Sequence, residues 1–388
     1  VKCQAAVIRG VGEQWAIEEI TLDPPRTGEV VVKMAVAGIC HSDDHFATGD
    51  FIATPELEAI MAAVGVPAAD YFPVLGGHEG AGVVTEVGPG VRSVQPGDRV
   101  AMSFIPACGK CRWCVSGMTY ICDAGASMMV KEMSTDFTTR RHVGAEDLTA
   151  MAQLGTFAEY AVLSEDSVIK IDESIPFEAA SLVSCGVTTG WGSGTVGVGT
   201  EPGDTVVVIG TGGVGINAVQ GAVAAGALNV IAVDPVDFKR DTAKFFGATD
   251  TAPSIEEAFP LVQQLTRGVM AERVVLTPGV LRPEMLLPAL MLTSKGGTCL
   301  MTGVPKLELS MVPLVVVDII NSCKTLKGVL YGGMNPRASM PMLLSMYRGG
   351  NLKLDELVTR RYRLDQINDA FTDMREGRNI RGIIEFEP

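Results

Sequence analysis

Short apolar runs broken by glycine and proline fill the first half of the chain: "EVVVKMAVAGIC", "GAGVVTEVGPGV", "SVQPGDRVAM" and "FAEYAVLSEDSVIKI". With turn residues standing between the runs, residues 1–184 predict mostly short strands. From about residue 186 the pattern changes. "TVVVIG", "NVIAVD", "ERVVLT", "GGTCLMTG" and "TLKGVLY" are predominantly apolar and alternate with helix-like stretches. Such alternation predicts right-handed βαβ units in a parallel, doubly wound sheet. After residue 332 the character is mixed, with helices expected near "MPMLLSMYRGG" and "LDQINDAFTDMREGR". Two long connections interrupt the β-rich half. One carries a helix-like stretch between Asp50 and Tyr71; the other, residues 124–154, is of mixed polarity. Long connections of this kind are either functional or mobile.

A chain of 388 residues is long for one core, and two domains are expected. Residues 1–185 with 332–388 form one, and 186–331 the parallel-sheet domain. The formal charge of −14 argues against nucleic acid or an anionic membrane as partner. Arg140-Arg141 and Arg360-Arg361 are short enough to read as solvated surface. Thr205 to Val233 contains no charged residue and is long enough for a membrane span. It divides, however, into strand, glycine-rich turn, helix and strand, each too short to cross a bilayer. The N-terminal stretch "VKCQAAVIRGVGEQWAIEEI" lacks the pattern of a secretory leader, so a soluble, cytoplasmic protein is expected.

Four of the nine cysteines, Cys108, Cys111, Cys114 and Cys122, fall in "CGKCRWCVSGMTYIC". In a reducing compartment such clusters serve as metal ligands or catalytic groups. Four thiolates at this spacing suit tetrahedral Zn2+. An iron–sulfur cluster takes four thiolates too, but Asp123, not proline, follows the last cysteine, which favours zinc. With four protein ligands the shell is closed, so the ion would staple a lobe and do no chemistry.

"VVVIGTGGVGINAVQGAVAAG" places Gly210, Gly212 and Gly215 in G-x-G-x-x-G spacing, with Gly213 inside the motif. A strand precedes it, a helix follows, and Asp234 ends the next strand, which is the context a dinucleotide site requires. Gly210 allows the tight turn, Gly212 lets backbone approach a pyrophosphate, and Gly215 lets helix pack on strand. The Asp234 carboxylate suits ribose hydroxyls and repels a 2′-phosphate, so NAD is expected over NADP.

"AGICHSD", "GHEGAGVV", the "CGKCxxC" lobe and "GTGGVG", in that order over nearly the whole chain, resemble the zinc-dependent medium-chain alcohol dehydrogenases. The resemblance implies a GroES-like catalytic domain and a Rossmann NAD-binding domain, with a cleft between them. It implies Cys40, His78 and Cys185 as catalytic zinc ligands, with Glu79 near the metal and Asp43 supporting it. Ser42 and His45 match a proton relay. His41, Lys239 and Arg381 match cofactor contacts, Thr189 a residue packing on the nicotinamide, and Phe104 a wall of the substrate pocket. The implied reaction is hydride transfer between an alcohol or aldehyde and NAD(H), with two zinc ions per chain and a homodimer or homotetramer.

"CGVTTGWGSG", "DPVDFKRDTAKFFGAT" and "NIRGII" look most like the nicotinoprotein (nitrosoaniline-dependent) group, which retains NAD(H) and passes electrons to an external acceptor. An ordinary NAD-exchanging enzyme and a thiol-adduct formaldehyde dehydrogenase are the alternatives within the family. A non-catalytic NAD-binding protein and a zinc-thiolate redox sensor are the alternatives outside it; the first would predict a broken ligand set.

Overall fold

The computed structural model describes residues 1–66, 70–125 and 130–387. The chain forms two compact units: Val1–Gly49, Gly65–Cys185 and Asn335–Pro388 in one, Asp50–Val64 and Gly186–Met334 in the other. The expected stretch 1–185 is thus interrupted, because Asp50–Val64 packs with the second unit.

The first unit is built on two sheets. One runs, in spatial order, Glu146–Asp147, Arg141–Val143, Ala16–Leu22, Lys2–Ile8, Val74–Leu75 and Thr149–Ala150. The other has Glu29–Gly38 at its centre, paired with Gly80–Val87, Arg381–Glu385 and Tyr160–Ser164. The helix His41–Thr48 follows the central strand directly, with Cys40 at its N-cap in extended conformation. The helices expected near the C-terminus are Pro336–Arg348 and Ile367–Arg375.

The second unit holds six strands, all parallel. Their order is Asp250–Ala252, Asn229–Val233, Thr205–Ile209, Ala271–Leu276, Thr293–Met301, Thr325–Gly328. This is the dinucleotide-binding order, first strand central and chain direction reversing beside it. Every residue of Thr205–Ile209 is buried, which explains its unbroken apolar pattern: helices cover both faces. Val207, Ile231, Val274 and Cys299 lie in its core. Among the described residues no helix is long and apolar enough to cross a membrane.

The first long connection contains the helix Pro55–Ala63, with Pro at its start, Glu56 and Glu58 in the first turn, and the Thr54 hydroxyl accepting from Leu57 N–H. Residues 67–69 of that connection lie outside the described residues, as do 126–129 of the second. The rest of the second is stapled down. Arg140 and Arg141, expected on the solvated surface, are fully buried. Arg140 holds Glu29, and Arg141 donates to Val162 O at 2.9 Å. The doublet gave no sign of this because both acceptors lie elsewhere in the chain. Arg360 and Arg361 are exposed.

Candidate metal centres and dinucleotide cradle

Cys108, Cys111, Cys114 and Cys122 bring their sulfurs within 4.8 Å of one another. The Cys108–Cys114 and Cys111–Cys122 separations are 4.0 and 3.9 Å. A disulfide needs about 2.05 Å, whereas a ZnS4 tetrahedron with bonds of about 2.3 Å has edges of about 3.8 Å. Backbone N–H groups of Cys108, Cys111 and Cys114 donate to the sulfurs of Cys122, Cys108 and Cys111, each at 3.4 Å. Such bonds favour thiolate. N–H groups of Asp123 and Cys114 pull the Cys111 thiol down to about 6, while burial pushes Cys122 up. The geometry and the donor set fit a zinc ion.

Cys40, His78, Glu79 and Cys185 form the second cluster, again with one donor atom each inside 4.8 Å. The elements that deliver them are a helix N-cap (Cys40), the turn entering strand Gly80–Val87 (His78 and Glu79) and the residue before helix Gly186–Gly192 (Cys185). The turn is held tightly. Thr156 Oγ1 donates to Glu79 O at 2.8 Å, and Ser184 Oγ bonds both Gly80 N–H and Gly80 O. A Cβ at Gly77 would lie 2.4 Å from Thr156 Oγ1, so the paired glycines before His78 are required by close approach. Neither Thr156 nor Ser184 was found from sequence; the glycine density of "GGHEGAG" was the only signal that something packs there.

Asp43 is fully buried, accepts Gly77 N–H at 2.7 Å and faces His78 Nδ1 at 2.9 Å. Both imidazole nitrogens are buried without a hydrogen bond among the described residues; Nδ1 faces the Asp43 carboxylate, and Nε2 is left for a metal. The Cys185 thiol, hydrogen-bonded to Cys40, holds Cys40 well below its ordinary value and is itself raised. Two sulfurs, an orphaned imidazole nitrogen and a carboxylate in a dry setting fit a catalytic zinc with three strong ligands. Burial pushes the Glu79 carboxyl up to about 7, against the pull of Arg381.

Arg381 forms a buried ion pair with Glu79 and donates to Ile39 O at 3.2 Å. The sequence had suggested only a cofactor contact for it. Its Nε has no hydrogen-bond partner among the described residues. Ser42 and His45 are three apart on helix His41–Thr48 and so share a face; Ser42 Oγ is 3.9 Å from Cys40 Sγ. His41 is half-buried on the same helix. The outer side of this helix is anchored by Asp44, which accepts two bonds from Arg375 Nε at 2.9 and 3.1 Å. Phe104 stands edge-on to His78, ring centroids 5.8 Å apart.

In the second unit Gly210 has φ of 88°, and a Cβ there would meet Pro278 N at 2.7 Å. A Cβ at Gly215 would lie 1.8 Å from Gly210 O. Both glycines are therefore needed by the fold. Gly212 is different: its φ is −74° and a Cβ there meets nothing within 4 Å. Neither backbone nor packing demands glycine there, and the open space would admit a pyrophosphate. Gly213 begins the helix Gly213–Ala224. Asp234 is buried, and its carboxylate accepts Thr211 N–H at 2.9 Å and Val236 N–H at 3.0 Å. It thus also braces the turn. Lys239 is half-buried on helix Asp237–Phe245, and Thr189 is buried on helix Gly186–Gly192.

Comparison with known proteins gives one answer. The alcohol dehydrogenase GroES-like domain matches residues 26–173, and the zinc-binding dehydrogenase domain matches residues 213–347. Alcohol dehydrogenase B of Mycobacterium tuberculosis is 45% identical, covering 100% of this chain and 99% of its own. The NDMA-dependent alcohol dehydrogenase of Amycolatopsis methanolica is 46% identical, covering 99% of each. Among solved structures, benzyl alcohol dehydrogenase from Acinetobacter calcoaceticus superposes with a TM-score of 0.88 at 26% identity over 100% of both chains. With two sulfur-rich metal clusters and a glycine cradle already in place, the chain belongs to the zinc-dependent medium-chain alcohol dehydrogenases, oxidoreductases whose cofactors are Zn2+ and NAD(H).

Proposed function

We propose that this enzyme interconverts a small alcohol and its aldehyde with NAD(H) that stays bound, handing electrons to an external acceptor. The convergence of Cys40, His78 and Cys185 around an orphaned imidazole nitrogen carries the alcohol chemistry. Full-length similarity to a relative named NDMA-dependent alcohol dehydrogenase, together with the likeness of "CGVTTGWGSG", "DPVDFKRDTAKFFGAT" and "NIRGII" to the nicotinoprotein group, supports the reading.

Cys40, His78 and Cys185 would hold the catalytic zinc, and Cys108, Cys111, Cys114 and Cys122 the structural one. When bound, the catalytic zinc supplies Lewis acidity that lowers an alcohol's pKa, and the nicotinamide supplies the hydride acceptor. Asp43 orients His78. Arg381 offsets the charge of Glu79, which would lie beside the metal. Ser42 takes the hydroxyl proton and His45 carries it onward; an imidazole can both accept and donate a proton. Phe104 walls the alcohol's carbon side. Gly212 and Gly213 admit the pyrophosphate, Asp234 and Lys239 hold the adenosine ribose, Thr189 packs on the nicotinamide, and His41 and Arg381 are further cofactor contacts.

The chain is proposed to self-associate as a homodimer or homotetramer. Strand Thr325–Gly328 is an edge of its sheet, and Met311, Val316, Val317 and Ile320, which precede it in sequence, are exposed. All nine cysteines are unpaired, which suits a reducing, cytoplasmic setting.

The test is cofactor retention. An exchanging cofactor must leave at least as fast as turnover, roughly 10 s−1. With kon of about 10^6 M−1 s−1 its Kd is then on the order of 10 µM or weaker, and gel filtration strips it. Retained nicotinamide after exhaustive gel filtration is expected, with turnover by alcohol and an artificial acceptor without added NAD. Cofactor-free protein that works only with excess NAD would leave an ordinary NAD-dependent alcohol dehydrogenase.

A further inference from the structure

The segment Asp50–Val64 is flanked in sequence by residues of the β-rich unit, yet it packs with the parallel-sheet unit. A reciprocal pair of backbone hydrogen bonds holds it. Thr54 N–H donates to Leu307 O at 3.1 Å, and Leu307 N–H donates to Asp50 O at 2.8 Å. Lys306 Nζ lies 3.4 Å from Asp50 Oδ1, and both Asp50 and Phe51 are buried.

Leu307 belongs to the loop that follows strand Thr293–Met301, at the carboxyl edge of the parallel sheet where dinucleotides bind. The start of that loop is fastened to the end of strand Ala271–Leu276, whose following residues pack on the glycine turn. Thr302 and Gly303 N–H both donate to Leu276 O, at 3.0 and 2.9 Å. A Cβ at Gly303 would lie 2.8 Å from Pro278 O, and one at Gly210 would lie 2.7 Å from Pro278 N. Contact therefore runs unbroken from Gly210 through Pro278 and Gly303 along the loop to Leu307 and Thr54.

We propose that residues 50–54 are a retention clasp for the dinucleotide: they tie down the carboxyl-edge loop and so strengthen and prolong cofactor binding. The idea rests on the retained-cofactor reading above. Before the loop can open, two backbone hydrogen bonds and one partly exposed ion pair must break. Together these lower the open population roughly ten- to hundredfold. A short segment sequence-distant from the dinucleotide motif would then set how long the cofactor stays.

Thr54 has φ of −68°, which proline adopts without strain, so Thr54→Pro deletes the donor N–H and keeps the backbone path. Thr54→Ala keeps the N–H and deletes only the helix cap. Zinc-loaded wild type, Thr54→Ala, and Thr54→Pro combined with Lys306→Ala are reduced with alcohol and chased with excess NAD, and loss of bound NADH fluorescence is timed. The double variant is expected to release at least tenfold faster than wild type, and Thr54→Ala within twofold of it. Release by the double variant within twofold of wild type overturns the clasp, as does equal acceleration by Thr54→Ala. A second measurement uses unaltered protein. Coupling is reciprocal, so stripping the dinucleotide must loosen the clasp, and the Leu307 amide should exchange with solvent at least tenfold faster. Unchanged exchange overturns the proposal even where the double variant does not fold. Fast release by wild type itself, near turnover rates, would instead sink the retained-cofactor reading while leaving the variant-to-wild-type ratio to judge the clasp.

Discussion

Arg140 and Glu29, 111 residues apart, lock together through two bonds of 2.8 Å, Nε to Oε2 and Nη2 to Oε1, with both side chains fully buried. Asp136 and Thr135 complete the knot, from Arg140 Nη2 at 2.7 Å and to Glu29 Oε1 at 2.5 Å. The long connection is thereby tied to the first residue of the central strand of its sheet.

Arg140→Met would strand Glu29 as a buried charge without its main partner. Breaking such a pair costs about 3–5 kcal/mol, and urea unfolding should show a loss of that order. Adding Glu29→Gln should recover part of it, since the two changes share one interaction. A cost under about 1 kcal/mol for Arg140→Met would mean water reaches the pair.

Asp136 supplies a pH signature. Burial alone would raise its pKa, but hydrogen bonds from Thr138, Arg140 and Arg26 outweigh that and hold it well below the usual carboxylate range. A depressed folded pKa gives stability that is present above the unfolded value, about 3.9, and is lost as pH falls toward the folded one. The stability difference between wild type and Asp136→Asn should therefore be constant from pH 7 to about 5 and shrink below about pH 4. Comparing the two proteins cancels the loss of zinc in acid. A difference that does not change with pH would remove the electrostatic account.

Elemental analysis should find two zinc ions per chain, and the sites should separate by variant. His78→Ala is expected to abolish alcohol oxidation, by at least about a thousandfold, while unfolding stays cooperative. Cys111→Ser should lower stability by several kcal/mol, because zinc binding there is part of the folding free energy. One zinc, or iron with labile sulfide, would overturn the assignment, and so would activity loss at Cys111 without loss of stability.

Asp234→Gly should move cofactor preference toward NADP by at least about tenfold in the ratio of dissociation constants, about 1.4 kcal/mol. Titration of stripped protein with each dinucleotide measures it. Binding of NAD should weaken too, because the Thr211 and Val236 N–H groups lose their acceptor. An unchanged ratio would show that Asp234 serves only those two amides.

Legibility from sequence followed the range of the interactions. The parallel strands and the glycine turn were readable because both are local patterns: apolar runs buried on two faces, and glycines at fixed spacing. The four-cysteine lobe was readable for the same reason, its ligands lying within fifteen positions. Cys40, His78 and Cys185 became a set only through resemblance to a family, since no local rule joins residues so far apart. Arg140 was misread outright: a basic doublet looks solvated until Glu29 is placed against it. The packing of Asp50–Val64 with the parallel-sheet unit was not foreseen, because it rests on backbone groups, which carry no sequence signature.

Gly212 has a practical use. Gly210 and Gly215 cannot accept a side chain without disturbing the chain itself, but at Gly212 the space is open and the backbone ordinary. Folding and ligand affinity are therefore separable here. Gly212→Val would give a blank: the same zinc content, the melting behaviour of wild type stripped of its cofactor and the same alcohol-side architecture, with the dinucleotide shut out. Subtracting the blank's spectrum would isolate whatever absorbance belongs to the cofactor.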